Sequence, residues 1–473
     1  MRRIVLLGAA GVLAFAGCCA QPAAGALGLG GPRIAAAILL GWAAFGLAAA
    51  LALGPWARDA GRPAGTRVVM FLVLLTAAVC QLPGLSGPPT SSDDAYRYVW
   101  DGRVQLSGVS PYRYAPLDDA LSELRDPVLF PGLSPQDRTG FRTPEALPGN
   151  PGALTALARA DPRTRINRPR VPTIYPPGGQ LWFRAVASLT PARAGTLGLQ
   201  LGAALLALLT TALLARLLLR HGRDPASALL WGWCPLVAHE TGNGAHLDVL
   251  VAALLVLALL AGPRPGRVGA LLGLAAAVKL SPLLLLPAFT PWLRGGRRWL
   301  AVPVLAVAVL LAGYLPYVLH DGSRVLGYLP GYLTEEGFTD GGQRYALLRL
   351  LLPLPSALLT AAALLIATTA ALLALRRSKP EDPAMAATGL LGTAILLTAP
   401  AYPWYCLPLV ALAVAAGRPA WLAVAAAAAV AGYHPLLAGW CYAAGALVVL
   451  AVELARRSQR PAPEPSVGAG AGP

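Results

Sequence analysis

The chain has 473 residues, 56% hydrophobic and 13% charged, with 38 Lys plus Arg against 22 Asp plus Glu. A mean hydropathy of +0.58 excludes an ordinary soluble domain, which would expose far more charge. The formal charge of +16 gathers at the ends of apolar segments rather than on one soluble face. That placement argues against a nucleic-acid partner and for membrane lipids as the surroundings.

Apolar stretches recur at lengths suited to a hydrocarbon core of about 30 Å. With Arg2 and Arg3 placing the start in the cytoplasm, spans are predicted over 4–20, 33–53 and 68–83. A long polar stretch, 84–194, then lies outside, followed by spans 195–215, 228–240 and 245–261. Segment 268–292 is interrupted at Lys279 and Pro282 and reads as two half-spans. Spans 299–319, 344–375, 384–400, 404–416, 419–433 and 436–454 complete the series. The fold class is therefore an all-α polytopic bundle of about 12–14 transmembrane helices. Residues 1–457 form a single membrane domain with a second outer loop at 320–344, and 458–473 reads as a disordered cytoplasmic tail.

The short loops assigned to the inside carry Arg58, Arg62 and Arg67, then Arg216, Arg220 and Arg223, and later Arg376 and Arg377. This is the asymmetry that the positive-inside rule requires. The first segment resembles a signal with a lipoprotein-like box before Cys18, but reads better as an uncleaved span. The six cysteines show neither metal-ligand spacing nor a disulfide framework.

Five polar patches fall on the outer side. The first, SSDDAYRYVWDGR, opens the long loop and places Asp93, Asp94 and Asp101 among Tyr96, Tyr98 and Arg103. On a helix, Asp94, Tyr98 and Asp101 share a face and Asp93 points elsewhere. A carboxylate beside aromatic surface at a cavity mouth can take a proton from a hydroxyl, and a neighbouring carboxylate would raise its pKa. A solvated helix cap is the bland alternative.

The second patch, HETGNGAHLD, offers His239, Glu240, Asn243, His246 and Asp248. It suits a polar hairpin contacting phosphate or sugar better than a metal, since its two histidines stand seven apart. The third, VKLSP, carries Lys279 inside an apolar stretch, where a charge costs on the order of 3 kcal/mol and faces water or an anion. The fourth is the glycine-rich loop with His320, Asp321, Arg324, Tyr328, Tyr332, Glu335, Glu336 and Arg344, suited to closing over a substrate. The fifth, APAYPWY, supplies Tyr402, Trp404 and Tyr405.

In these motifs the chain resembles the GT-C superfamily of polyprenyl-phosphate-sugar-dependent glycosyltransferases, and especially the bacterial mannosyltransferase-like family 87. The matching pieces are DDAYRYVWDGR, GVSPYRYAP, NRPRVPTIYPPGGQ, AHLD, VKLSP and YPWY, in that order. AHLD stands where a motif closer to HND is expected, so the roles of His246 and Asp248 are less defined than the rest.

The resemblance implies a GT-C-like bundle with a long extracytoplasmic catalytic loop, in the inner membrane of a bacterial cell. It implies an acidic residue activating the acceptor hydroxyl, with Asp94 the best match and Asp93 second. It also implies a polyprenyl-phosphate sugar donor, most simply a mannose donor, and a lipid- or glycan-linked acceptor in cell-envelope biosynthesis. Lys279, Arg103, Arg168 and Arg344 are the candidates to meet the leaving phosphate. Tyr96, Tyr98, Tyr112, Tyr175, His246, Asp248, Tyr402 and Trp404 are the other candidate substrate contacts, with Trp404 stacking on the sugar. Because Lys or Arg can neutralise a monophosphate, no cofactor is required, and a divalent metal is the less favoured option. The alternative from another class is a multi-pass transporter or lipid flippase, which Lys279 on a broken helix would suit.

Overall fold

The computed structural model describes residues 2–55, 65–134, 139–141, 150–335 and 344–459. Arg58, Arg62, Glu336 and nearly all of the expected tail lie outside the described residues. Among the described residues every regular element is helical.

The first three helices are α1 (Arg2–Ala26), α2 (Gly31–Leu53) and α3 (Thr66–Leu85). Helix α2 shows why such segments form. Pro32 sits in its first turn, where a missing N–H costs nothing, and after Arg33 the helix runs apolar all round until Gly54. Its 23 residues reach about 35 Å, enough to cross a bilayer core. Leu39, Leu40 and Leu47 point outward and stay exposed, a face suited to lipid rather than water. Seven described helical segments are long and apolar enough to span, and five more apolar helices are shorter.

The polar segment after α3 folds into α4 (Asp94–Leu106) and α5 (Pro177–Leu189), which pack together. Helix α6 (Leu197–Arg220) follows as predicted. The stretch predicted as one span over 228–240 is instead a chain of short turns, Leu229–Gly232, Pro235–Ala238 and a π-helical turn at His239–Asn243. Pro235 cannot donate to a continuing helix, and the paired glycines that follow weaken it further.

Helix α7 (Asp248–Leu260) and helix α8 (Pro265–Val278) come next. As expected, the chain breaks at Lys279, then continues through the turns Ser281–Leu285 and Leu286–Phe289. Helix α9 (Ala301–Asp321) packs along α8. The predicted span 344–375 is divided: Ala346–Leu351 precedes α10 (Ser356–Arg377), because Pro353 and Pro355 interrupt the ladder. Helices α11 (Ala384–Thr398), α12 (Leu407–Ala416), α13 (Leu422–Tyr433) and α14 (Ala438–Ser458) close the bundle.

Helices α7 and α8 are too short to cross alone, at about 20 Å each. Both have one end at a cavity between the bundle and the polar segment that carries α4 and α5. Irregular backbone is tolerated at membrane depth where it is buried in protein or lines such a cavity.

Candidate active site

The cavity has a volume of about 500 Å³. Its polar end is lined by Ser92, Asp94, Tyr98, Asn167, Arg168 and Tyr175, and its cationic wall by Lys279 and Arg344. Leu247, Val251, Leu255, Leu284, Leu391 and Ile395 make the remainder a long apolar trough.

Asp94 occupies the first turn of α4, where the helix dipole favours a carboxylate. Its side chain is only 15% exposed. Oδ1 accepts the Asn167 amide at 2.5 Å, and Oδ2 accepts the Tyr98 hydroxyl at 3.4 Å. Tyr98 is fixed in turn by stacking on Phe183 at 4.4 Å and by an edge contact with Tyr175 at 5.0 Å. Burial, then the mutual influence of Tyr98 and Tyr175 and the Asp94 charge, pushes the Tyr98 phenol well up. The phenol therefore remains a donor.

Asp93 stands one residue earlier on the exposed side and does not line the cavity. Desolvation and then the Asp94 charge push its carboxyl above the usual range.

The cationic wall arises where two helix ends meet. Asp248 lies in the first turn of α7 and Lys279 directly follows the end of α8, so each charge suits the dipole of its own helix. Lys279 Nζ donates to both Asp248 oxygens, at 2.9 and 2.8 Å, and sits 4.0 Å from the Tyr405 ring centre. Arg168 reaches Glu335 at 2.8 Å, and Tyr328 donates to the same carboxylate at 2.7 Å. Burial alone would lower the Arg168 pKa; the Glu335 charge outweighs it and holds the guanidinium above its ordinary value.

The loop that carries Asn167 and Arg168 is bolted to α4. Arg97 pairs with Asp101 at 3.0 Å and donates to the carbonyls of Arg168 and Val171. Gln180 of α5 donates to Asp101 and to Thr173, both at 3.0 Å. Helix α5 can approach α8 because residue 178 is glycine: a Cβ there would meet the Ala277 carbonyl at 2.8 Å. Asp101, which shares the expected face with Asp94, therefore works behind the cavity as a buried anchor.

Of the residues singled out from the sequence, Asp94, Tyr98, Arg168, Tyr175, Asp248, Lys279, Arg344, Tyr402 and Trp404 line this one cavity. Tyr96 lies under Arg165, and Arg103 pairs with Asp126 away from the cavity. Tyr112 supports the wall by donating to the Tyr175 carbonyl at 2.7 Å. His246 is fully buried just behind the wall. It stacks on Trp404 at 3.8 Å and 11°, and Trp404 also stacks on Tyr402. Trp404 is thus engaged with protein rings where the sequence led us to expect a sugar.

Asn167 and Arg97 escaped the sequence reading. For Arg97 the signal was present, since Arg97 and Asp101 stand at helical i, i+4 spacing. Asn167 lies 73 residues from its partner and had none.

The backbone marks the same place. Among the described residues, four non-glycine positions have positive φ: Arg168, Ala245, Tyr345 and Ala399. Arg168 lines the cavity, and each of the others adjoins a residue lining or backing it. Such conformations cost of order 1–3 kcal/mol each and cluster at functional sites.

Fold and site together define a polytopic membrane protein in which a carboxylate and a cationic wall share an apolar trough. Residues 173–400, just under half of the chain, match the model of glycosyltransferase family 87. This match supports a membrane glycosyltransferase of the GT-C type. Tyr175, His246, Asp248, Lys279 and Arg344 lie inside the matched segment; Asp94, Arg168, Tyr402 and Trp404 lie outside it. No curated protein and no solved structure matches the chain.

Proposed function

We propose that the enzyme moves one sugar, mannose on our reading, from a polyprenyl phosphate to a lipid- or glycan-linked hydroxyl. The reaction takes place on the extracytoplasmic face of a bacterial inner membrane. The observation that carries this reading is a single cavity joining Asp94, three cationic side chains and an apolar trough. The trough suits a hydrocarbon tail, and Lys279, Arg168 and Arg344 suit the phosphate at its head.

Asp94 is the general base. Asn167 and Tyr98 fix its oxygens, so that one can accept the acceptor's proton as its oxygen attacks the anomeric carbon with inversion. The transition state carries oxocarbenium character, as in other glycosyl chemistry. Charge grows on the leaving phosphate, so cations already in place act most strongly there. In this scheme Lys and Arg neutralise the phosphate, and a metal is not needed.

The test uses purified protein in lipid nanodiscs with radiolabelled polyprenyl-phosphate mannose and a membrane-lipid extract as acceptor. Transfer by wild type and its loss in Asp94→Asn is the expected result. Equal transfer by Asp94→Asn would remove the assigned base, and transfer only from a differently headed lipid donor would replace mannose.

A further inference from the structure

His246 and Glu240 are chemically capable groups left unused by the scheme above. Both are buried: the imidazole is fully enclosed, and the Glu240 side chain is 2% exposed. His246 Nε2 lies 3.2 Å from Glu240 Oε2, and Nδ1 lies 3.9 Å from Asp94 Oδ2. Nδ1 and Glu240 Oε2 are both buried without a hydrogen-bond partner, and the Ser91 hydroxyl lies 3.4 Å from Nε2.

The local chain is shaped to permit this contact. The π-helical turn at His239–Asn243 ends in a left-handed Ala245 (φ 54°), which swings His246 back over the turn. Residue 244 must be small: a Cβ on Gly244 would come 2.7 Å from Nε2 and 2.9 Å from the Ser91 hydroxyl. Asn243 ties the turn to the segment leading into α4 by accepting both the Thr90 amide and hydroxyl at 2.8 Å. Asp94 and the π-helical turn are thereby held as one unit.

We propose that Glu240 and His246 form a buried dyad that orients Asp94 and takes over its proton after the sugar is transferred. This proposal rests on Asp94 being the base. With the ring proton on Nε2, on the Glu240 side, the Nδ1 lone pair is left facing Asp94. When the acceptor attacks, its oxygen joins the anomeric carbon as the bond from that carbon to the phosphate oxygen breaks, the electron pair leaves with the polyprenyl phosphate, and the hydroxyl proton reaches Asp94 Oδ2. That proton can pass to Nδ1, which restores the Asp94 carboxylate and makes an imidazolium paired with Glu240. The proton returns to water through Asp94 once the cavity empties.

The groups around the imidazole are few. Asp94 and Ser91 face it from α4 and its leading segment, Glu240 and His239 come from the π-helical turn, and Trp404 covers its ring. Asp248 follows it on α7, and Tyr433 and Cys406 lie within reach of the Glu240 charge. Both residues are positioning residues, since neither lines the cavity.

The experiment follows kcat and donor KM from pH 5 to 8.5 in nanodiscs, with polyprenyl-phosphate mannose and extracted membrane lipids. Wild type, Asp94→Asn, His246→Gln and Glu240→Gln are compared, together with donor binding at equilibrium. His246→Gln and Glu240→Gln should each lower kcat about 10–100-fold with donor KM and binding unchanged. Small imidazoles should restore part of the rate to His246→Ala. Should a His246 variant fail to fold, the isosteric Glu240→Gln carries the test. Wild-type kcat in the Glu240 and His246 variants, with Asp94→Asn inactive, would overturn the dyad alone. An active Asp94→Asn would overturn the base and the dyad with it.

Discussion

Replacing Lys279 by Met removes the cation of the Lys279–Asp248 pair while keeping its apolar stem. Asp248 has a side chain only 4% exposed and receives two short hydrogen bonds from the ammonium. Losing one partner of a buried pair leaves an uncompensated charge and costs about 3–5 kcal/mol. The cation's contact with the Tyr405 face contributes about 0.5–2 kcal/mol more. The single variant should therefore be strongly destabilised. The double variant Lys279→Met/Asp248→Leu, which removes both charges, should return to within about 1 kcal/mol of wild type. Activity should behave differently. If Lys279 meets the leaving phosphate, both variants should lose about 10²–10³-fold in kcat. Reversible unfolding in mixed micelles and sugar transfer in nanodiscs read the two quantities separately. Wild-type turnover in the double variant would refute the phosphate role, and a single variant as stable as wild type would refute the buried-pair reasoning.

Asp94→Asn should lower kcat about 10²–10⁴-fold while Asp93→Asn retains most transfer, measured by the same assay. Asp93→Asn should also be neutral or stabilising near neutral pH. Burial and the Asp94 charge raise the folded-state pKa of Asp93, so ionisation weakens the fold as pH rises, and Asn removes that effect. Asp161 has the opposite sign. Its hydrogen bonds and ion pairs with Arg163, and its pair with Arg170, lower its carboxyl to about 2. Its contribution is present above the unfolded carboxylate range and lost as pH falls toward 2. Discounted for its partly exposed partners, Asp161→Asn should cost about 1–2 kcal/mol at pH 7, and the difference should vanish in acid unfolding curves. Gly244→Ala should cost about 1–3 kcal/mol by driving a methyl into the His246 edge, and should lower kcat with it.

The membrane class and the spans were legible because apolar length and basic loops are one-dimensional signals. Spans α1, α2, α3 and α6 lie within a few residues of their predicted positions. The segments around Pro235 and Pro353 were read as continuous because hydropathy averages over a proline that the hydrogen-bond ladder cannot pass. Lys279 was legible as an anomaly, a charge in an apolar run. Its partner was not, because Asp248 is 31 residues away and only the meeting of two helix ends joins them. Likewise the adjacency of Asp93 and Asp94 said nothing of which one faces inward; Asn167 and the loop held by Arg97 supply that distinction.

The cations at the cavity come already paired, Lys279 with Asp248 and Arg168 with Glu335. An unpaired charge at membrane depth costs on the order of 3 kcal/mol, so pairing lets Lys279 stay desolvated while the cavity is empty. Pairing also fixes the direction of both cations. A phosphate entering beside them would meet donors that need little reorganisation, which is the condition under which charge stabilisation acts on the transition state. If a phosphate binds there, the resting carboxylates hold the cations in place for it. On this view Asp248 matters to the reaction because it keeps Lys279 at the broken end of α8 rather than letting it extend along its flexible stem to the membrane surface.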